Sequence, residues 1–298
     1  MGEIAGLATS LMWALSSLLF SSASKAIGSQ NTNRIRLLFA TVLMMLTHWI
    51  VFGQPLPLNA GLDHWFWLAL SGIVGLALGD AFLFQAYVDL GPRLSTLLMS
   101  LAPVAATFLA WIFLGETLTL GELLGIAVAV GGVMWVVLER NGGEKRSTHD
   151  HRRYLLGILF GLGGMLGQAG GLTLSKRGLD ADFPSLSAVL IRILVGMLAV
   201  WIAAAFTGKV KSTLQAVRNP QILRTTGVGS IIGPYSGIWL SLIAVQHTSV
   251  GIASTLMALT PIFMLPLSAW FLKEKITPRA VFGTLIALAG VAMIFLLP

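Results

Sequence analysis

Asp80 is the acidic residue that stands clearly inside an apolar stretch, in "GLALGDAFLFQAY" (75–87). A carboxylate within hydrocarbon is costly, so it serves a purpose: it carries a coupling proton, holds an amine, or pairs with a cation. Arg36, in "NRIRLLFAT" (33–41), falls at the same end of a neighbouring apolar run and can close a structural bridge with Asp80. Ion coupling and bridging both stay open at this point. Arg192 lies two turns into another apolar run, "SLSAVLIRILVG", where it can attract an anionic group. Uncharged polar and aromatic side chains also recur mid-run: Trp13, Ser16 and Ser17, then Gln168, then Tyr235, Ser236 and Trp239. Aromatic walls with a few hydrogen-bonding groups suit a small amphipathic metabolite. From these, Trp13, Ser17, Gln168, Tyr235 and Trp239 are the expected cavity residues. Each could equally serve as an interhelical hydrogen bond or a lipid-facing aromatic.

Other chemistries have little to work with. There is no HExxH, GxSxG or paired-carboxylate motif, and His48, His64, His149, His151 and His247 are scattered. The His149/His151 pair sits in a polar stretch and reads as solvated loop rather than metal site. The absence of cysteine excludes disulfides and thiolate chemistry. No enzyme, metal or cofactor is expected.

The elements that must hold these residues are membrane-spanning helices. Of the 298 residues, 56% are hydrophobic and 10% charged, against roughly 25% charged in soluble domains. Long apolar runs almost free of charge, such as 66–79, 97–115 and 279–298, have the length of a bilayer crossing. Ten helices are expected, at 3–24, 34–52, 65–87, 93–114, 120–138, 153–175, 186–206, 221–246, 249–272 and 279–297. Turn signals such as "GQPLPLN", "DLGPR" and "KEKITP" separate them. The first run has Glu3 before it and no basic lead, so it reads as a retained helix rather than a signal peptide. A net charge of +7 would suggest nucleic acid in a soluble chain, but here the basic residues fall in short loops, and no nucleic-acid partner is expected.

The chain also repeats itself. Residues 75–138 align with 233–296 without a gap, placing Gly75 and Gly79 on Gly233 and Gly237, Pro103 on Pro261, Glu116 on Glu274 and Gly125 on Gly283. Nearer each start, Gly6 falls on Gly157 and Ser24-Lys25 on Ser175-Lys176. Matched Gly, Pro and Glu mark a duplication rather than two apolar runs that merely look alike. The expected organisation is a first five-helix repeat over 1–138, a polar linker over 139–153 and a second five-helix repeat over 154–298. Five is odd, so the second copy enters the membrane from the opposite face. The expected fold is therefore all-α and integral to the membrane, ten transmembrane helices as two inverted repeats, the plan of an alternating-access transporter. Pro103 and Pro261 each remove a hydrogen bond to the carbonyl four residues earlier, on Met99 and Met257. They act either as packing kinks or as a symmetric pair of hinges. The glycine-dense "GILFGLGGMLGQAGG" of the sixth helix reads as a close-packing or sliding surface.

Lysine and arginine concentrate in the loops after helices 1, 3, 5, 7 and 9, while the opposite face has Lys176, Arg177 and Arg192. The positive-inside bias places the former loops and the 139–153 linker in the cytoplasm and both termini outside.

Two stretches carry a resemblance: "LLMSLAPVAATFLAWIFLGETLTLGELLGIAVAVGGV" and "TLMALTPIFMLPLSAWFLKEKITPRAVFGTLIALAGV". In both, a proline-bearing helix is followed by a Glu, a Thr shortly after and a Gly-rich last helix. Over almost its whole length the chain resembles the ten-helix EamA-like branch of the drug/metabolite transporter superfamily. That resemblance implies transport of a small molecule, with substrates across the family that include amino acids, drugs, sugars and phosphorylated metabolites. It also supplies an outward direction. Many relatives are drawn with both termini cytoplasmic, whereas the charges here point the other way. The expected function is a secondary transporter in the cytoplasmic membrane, exporting a small organic metabolite such as an amino acid. Its partners are the substrate, the lipid bilayer and protons or another coupling ion. A channel-like facilitator or a non-transporting scaffold or sensor is the alternative.

Overall fold

Apolar runs that cannot be solvated, broken only by short polar turns, leave the backbone one way to satisfy its hydrogen bonds in lipid, which is helix. The computed structural model describes residues 1–114, 119–138, 148–179, 182–248 and 250–296. Among them every regular element is helical. Glu116 and residues 139–147 of the expected linker lie outside the described residues.

The crossings are α1 (Gly2–Ile27), α2 (Ser29–Phe52), α3 (Leu62–Asp89), α4 (Pro92–Met99 and Ala102–Leu114), α5 (Leu120–Val137), α6 (Thr148–Arg177), α7 (Ser185–Phe206), α8 (Pro220–His247), α9 (Val250–Met257 and Thr260–Phe271) and α10 (Pro278–Leu296). A short helix, Val210–Val217, links α7 to α8. Among the described residues nine helices are long and apolar enough to cross a membrane, and α10 is a shorter apolar helix by the same measure. Two boundaries depart from expectation. Helix α2 starts at Ser29 rather than 34, because Gly28 alone makes the turn from α1, at a φ of 86° that only glycine adopts without strain. Helix α6 starts at Thr148 rather than 153, so the end of the expected linker is already helical.

Irregularities recur at matched places in the two halves. Wide π-type turns occupy Gly72–Gly79 of α3 and Ile231–Gly237 of α8. Pro234 accounts for the second, since it has no N–H to give and its ring displaces the preceding turn. In α3 three glycines, Gly72, Gly75 and Gly79, stand in that region instead. Helix α4 breaks right after Met99 and α9 right after Met257, the residues whose carbonyls Pro103 and Pro261 leave without an N–H. Each proline then stands second in the next helical segment, after Ala102 or Thr260, where its missing donor costs least.

Packing follows the same exchange. Helix α3 lies on α6 as α8 lies on α1, α4 meets α6 as α9 meets α1, and α2 with α7 and α5 with α10 pair across the halves. The α5–α10 contact is glycine on backbone. A Cβ on Gly290 would stand 2.2 Å from Ala129 N, and one on Gly132 would stand 2.4 Å from Ala287 N. The glycine stripe of α6 does the same against α3, where a Cβ on Gly167 would fall 2.3 Å from Gly79 Cα. Small residues let membrane helices approach until backbones touch.

The distribution of side chains is that of a lipid-embedded bundle. Ile50, Trp270 and Phe206 are 83%, 79% and 89% exposed, on the outside. Arg36, Asp80, Arg192 and His48 are buried within. One apolar core joins α2, α3, α7 and α8, a second joins α4, α5, α9 and α10, and α1 and α6 complete the walls of the space between.

Candidate functional site

That space is a cavity of about 130 Å³, room for on the order of ten water molecules. Helices α1 to α4 and α6 to α9 all contribute lining residues. Matched positions face it in pairs: Leu76 with Pro234, Asp80 with Ile238, Leu83 with Ser241, Thr96 with Ser254 and Met99 with Met257. The broken helices α4 and α9 put small hydroxyls on the wall, and Met99, Met257, Leu172 and Phe84 supply an apolar surface.

Asp80 and Arg36 meet there. Arg36 Nη2 donates to Asp80 Oδ2, and Arg36 Nε donates to Asn33 Oδ1 at 2.9 Å. The guanidinium lies over Phe84, 4.7 Å from the ring centroid, and near Phe20 at 5.7 Å. Such faces are favourable for a cation in a dry site. Asn33 in turn donates from Nδ2 to the Leu76 carbonyl at 3.3 Å, within the π segment of α3. The structure therefore contains the bridge, with both side chains nearly solvent-free.

Arg192 lines the same cavity from α7 and is 2% exposed. Its Nε and Nη1 have no hydrogen-bond partner. The Asp80 carboxylate lies within electrostatic reach of both arginines but hydrogen-bonds to Arg36 only. Two guanidiniums and one carboxylate leave this wall with a surplus positive charge.

Of the five expected cavity residues, Trp13 and Gln168 line the cavity. Ser17, Tyr235 and Trp239 are placed elsewhere. The Ser17 hydroxyl donates back to the Ala14 carbonyl at 2.8 Å, one turn earlier in α1, and its neighbour Ser16 takes the lining position. Tyr235 shares a hydrogen bond of 2.8 Å with Thr47 of α2, and Trp239 packs edge-on against it within the α2–α7 core. The π turn around Pro234 rotates the helix and directs Tyr235 toward α2, while Pro234 itself faces the cavity. Met257's carbonyl accepts the Thr260 hydroxyl at 2.8 Å.

Thr96, Ser100, Thr173, Ser254 and Thr260, all on the wall, were not anticipated. Their signal was available in the repeat, which aligns Thr96 with Ser254 beside the broken helices. Small hydroxyls can hide by bonding their own helix, as Ser100 does to Leu97 O at 2.7 Å, so hydropathy alone does not flag them.

Two ion pairs tie the halves together at the end of the bundle carrying the α3–α4 turn. Arg153 Nε donates to Asp89 Oδ1 at 2.8 Å. Arg93 pairs with Glu274 at 3.4 Å, without the angle of a hydrogen bond. At the other end the joins between the halves are ring contacts: His64 stacks on Phe183, and the Arg177 guanidinium lies 5.0 Å from the Trp67 ring centroid. Among the described residues no cluster of three or more metal-ligating side chains forms.

Comparison with known proteins adds sequence kinship to this geometry. The model of the EamA-like transporter family matches residues 1–138 and again 155–296. A probable terminal-alkyne amino-acid exporter from Streptantibioticus cattleyicolor is 35% identical over 81 residues, a stretch that covers 27% of this chain and 27% of that protein. A solved crystal structure described only as that of a protein superposes with a TM-score of 0.66, covering 99% of this chain and 96% of the other at 16% identity. At that identity the likeness speaks to fold alone.

Proposed function

Because this chain belongs to the EamA-like transporter family, we propose that it exports a small organic metabolite, of the amino-acid class, across the cytoplasmic membrane by alternating access. The observation that carries this reading is the cavity itself. It is central, it is built from matched positions of both halves, and broken or π-wound segments stand in its walls. Non-helical backbone inside a membrane is tolerated where it faces a cavity, and transporters place their substrate there. If one half adopts the other's conformation, the same cavity opens to the opposite side.

Trp13 and Gln168 contact the substrate in this scheme. Ser16, Thr96, Thr173 and Ser254 offer it hydrogen bonds, and Pro103 and Pro261 mark where α4 and α9 bend. The Arg36–Asp80 bridge holds α2 against α3. The repeats comprise 1–138 and 154–298. The loops rich in Lys and Arg, with the two ion-paired ends of α3 and α9, face the cytoplasm, and the termini face outward. The chain contains no nucleotide-binding motif, so the driving force is an ion gradient or the substrate's own gradient. The fragmentary match to an amino-acid exporter supports the substrate class.

The test is counterflow in proteoliposomes loaded with unlabelled amino acid, with labelled amino acid added outside. Uptake above protein-free vesicles is expected for at least one apolar amino acid. Absence of counterflow, across a panel that also includes small organic acids and amines, overturns transport by this chain.

A further inference from the structure

Arg36 and Arg192 stand at the same place in their halves, two turns into α2 and α7. Their surroundings differ at each matched position. Arg36 has Asn33 one turn before it, Asp80 on α3 as its acid and Phe84 under its guanidinium. The counterparts around Arg192 are Val189, Ile238 and Leu242. Asn33, Asp80 and Phe84 are each replaced by an aliphatic side chain at the second arginine. Among the described residues nothing donates a carboxylate to Arg192, and its guanidinium packs above the π segment of α3, with Nη2 about 3.7 Å from where a Gly75 Cβ would lie.

A buried guanidinium in this position has no easy way out. It cannot shed its proton, as a lysine could. It sits seven residues inside the helix, too deep to reach the aqueous phase around a bundle that surrounds it. A buried charge without a hydrogen-bonded acid of its own is retained at a cost in stability, which is the signature of a group kept for binding.

We propose that Arg192 binds the carboxylate of the transported substrate, which takes the place that an acid at Ile238 would fill in a symmetric protein. This assignment rests on the transport reading above and gives it a substrate class: a monocarboxylate with an apolar body. Nε and Nη1 of Arg192 are the open donors for the carboxylate oxygens. One free guanidinium accommodates one such group, because Arg36 is already satisfied by Asp80. The apolar body lies on Met99, Met257 and Leu172, and Gln168 and the wall hydroxyls accept hydrogen bonds from an amine where there is one.

Two acid/amide pairs test this on the full-length protein: L-phenylalanine with L-phenylalaninamide, and 3-phenylpropionate with 3-phenylpropionamide. The second pair removes the amine and its charge from the comparison. Thermal stabilisation in detergent and quenching of tryptophan emission, titrated to millimolar ligand, report binding. Wild-type protein is expected to favour each acid over its amide by about ten- to hundredfold, the range for a hydrogen bond to a charged group. Arg192→Gln is expected to abolish that preference and Arg192→Lys to keep part of it. The Gln variant is expected to lose little stability without ligand, since Arg192 Nε and Nη1 make no hydrogen bond that the substitution breaks. A preference for the acid that survives in Arg192→Gln overturns the assignment, as does failure of both acids to stabilise the wild type.

A parallel flux measurement with the same compounds separates the two claims. Arg192-dependent acid binding without flux supports the carboxylate site and overturns transport. Equal flux of acid and amide, unchanged in Arg192→Gln, overturns the carboxylate site and leaves transport standing.

Discussion

Arg36 and Asp80 form an ion pair at the wall of a cavity that also holds Arg192, so one carboxylate lies within reach of two buried guanidiniums. The arrangement makes the two halves of the pair unequal. Asp80→Asn strands both arginines, whereas Arg36→Gln leaves Asp80 with Arg192 as a replacement partner. Breaking a buried pair by removing one member costs about 3–5 kcal/mol. Thermal unfolding in detergent is expected to show Asp80→Asn near the upper end of that range and Arg36→Gln clearly milder. Equal loss in the two variants would mean that Arg192 and Asp80 do not communicate.

The α5–α10 seam predicts a sharp contrast between neighbouring glycines. Gly290 and Gly132 have partner backbone where a Cβ would stand, while Gly131 has nothing within 4 Å. Gly132→Ala and Gly290→Ala are expected to destabilise by about 1–3 kcal/mol, because the helices must part. Gly131→Ala should stabilise by about 0.5–1 kcal/mol through helix propensity. Thermal midpoints of the three variants decide it. A destabilised Gly131→Ala would show that the seam is wider than the structure places it.

Much of this fold could be read in the sequence, and the reasons are physical. Ten crossings followed from charge-poor runs, and the matched breaks at Met99 and Met257 followed from Pro103 and Pro261. The sequence left Asp80 open between ion coupling and a bridge to Arg36, and the structure pairs the two side chains. The facing of side chains was less legible. One position separates Ser16, on the cavity, from Ser17, bonded within its own helix, and hydropathy cannot resolve a rotation of 100° about a helix axis. Tyr235 and Trp239 were misplaced for a related reason. A π turn adds backbone per turn and rotates everything beyond it, and nothing in a hydropathy pattern registers that.

Gln168 and Tyr235 now make opposite predictions for transport. Gln168 lines the cavity, so Gln168→Ala should raise KM for a transported amino acid about fivefold or more, the loss of one ordinary hydrogen bond. Tyr235 hydrogen-bonds Thr47 away from the cavity, so Tyr235→Phe should leave KM unchanged and lower stability by about 1 kcal/mol. Counterflow kinetics and thermal unfolding on the same preparations test both. A KM effect in Tyr235→Phe larger than in Gln168→Ala would move the substrate site toward the α2–α7 core.

The two ion pairs between the halves, Asp89–Arg153 and Arg93–Glu274, sit at one end of the bundle, where the other end has a ring stack and a cation–π contact instead. They act as a latch on that end, and its strength is bounded by exposure: Arg153 is 54% exposed and Glu274 36%. Pairs this open to solvent contribute about 0.2–1 kcal/mol each, so removing both shifts an open–closed balance by about two- to thirtyfold. The chain has no cysteine, which allows a direct measurement. Thr96 and Ser254 are matched wall positions, Thr96 nearer the latched end and Ser254 nearer the other. In single-cysteine variants at each, a membrane-impermeant thiol reagent reports opening on its own side. With Arg153→Gln and Glu274→Gln together, labelling at Thr96→Cys from the latched side should quicken by about two- to thirtyfold, while labelling at Ser254→Cys from the far side slows or stays unchanged. Faster labelling at both positions would mean that the pairs hold the bundle together generally, without favouring one end.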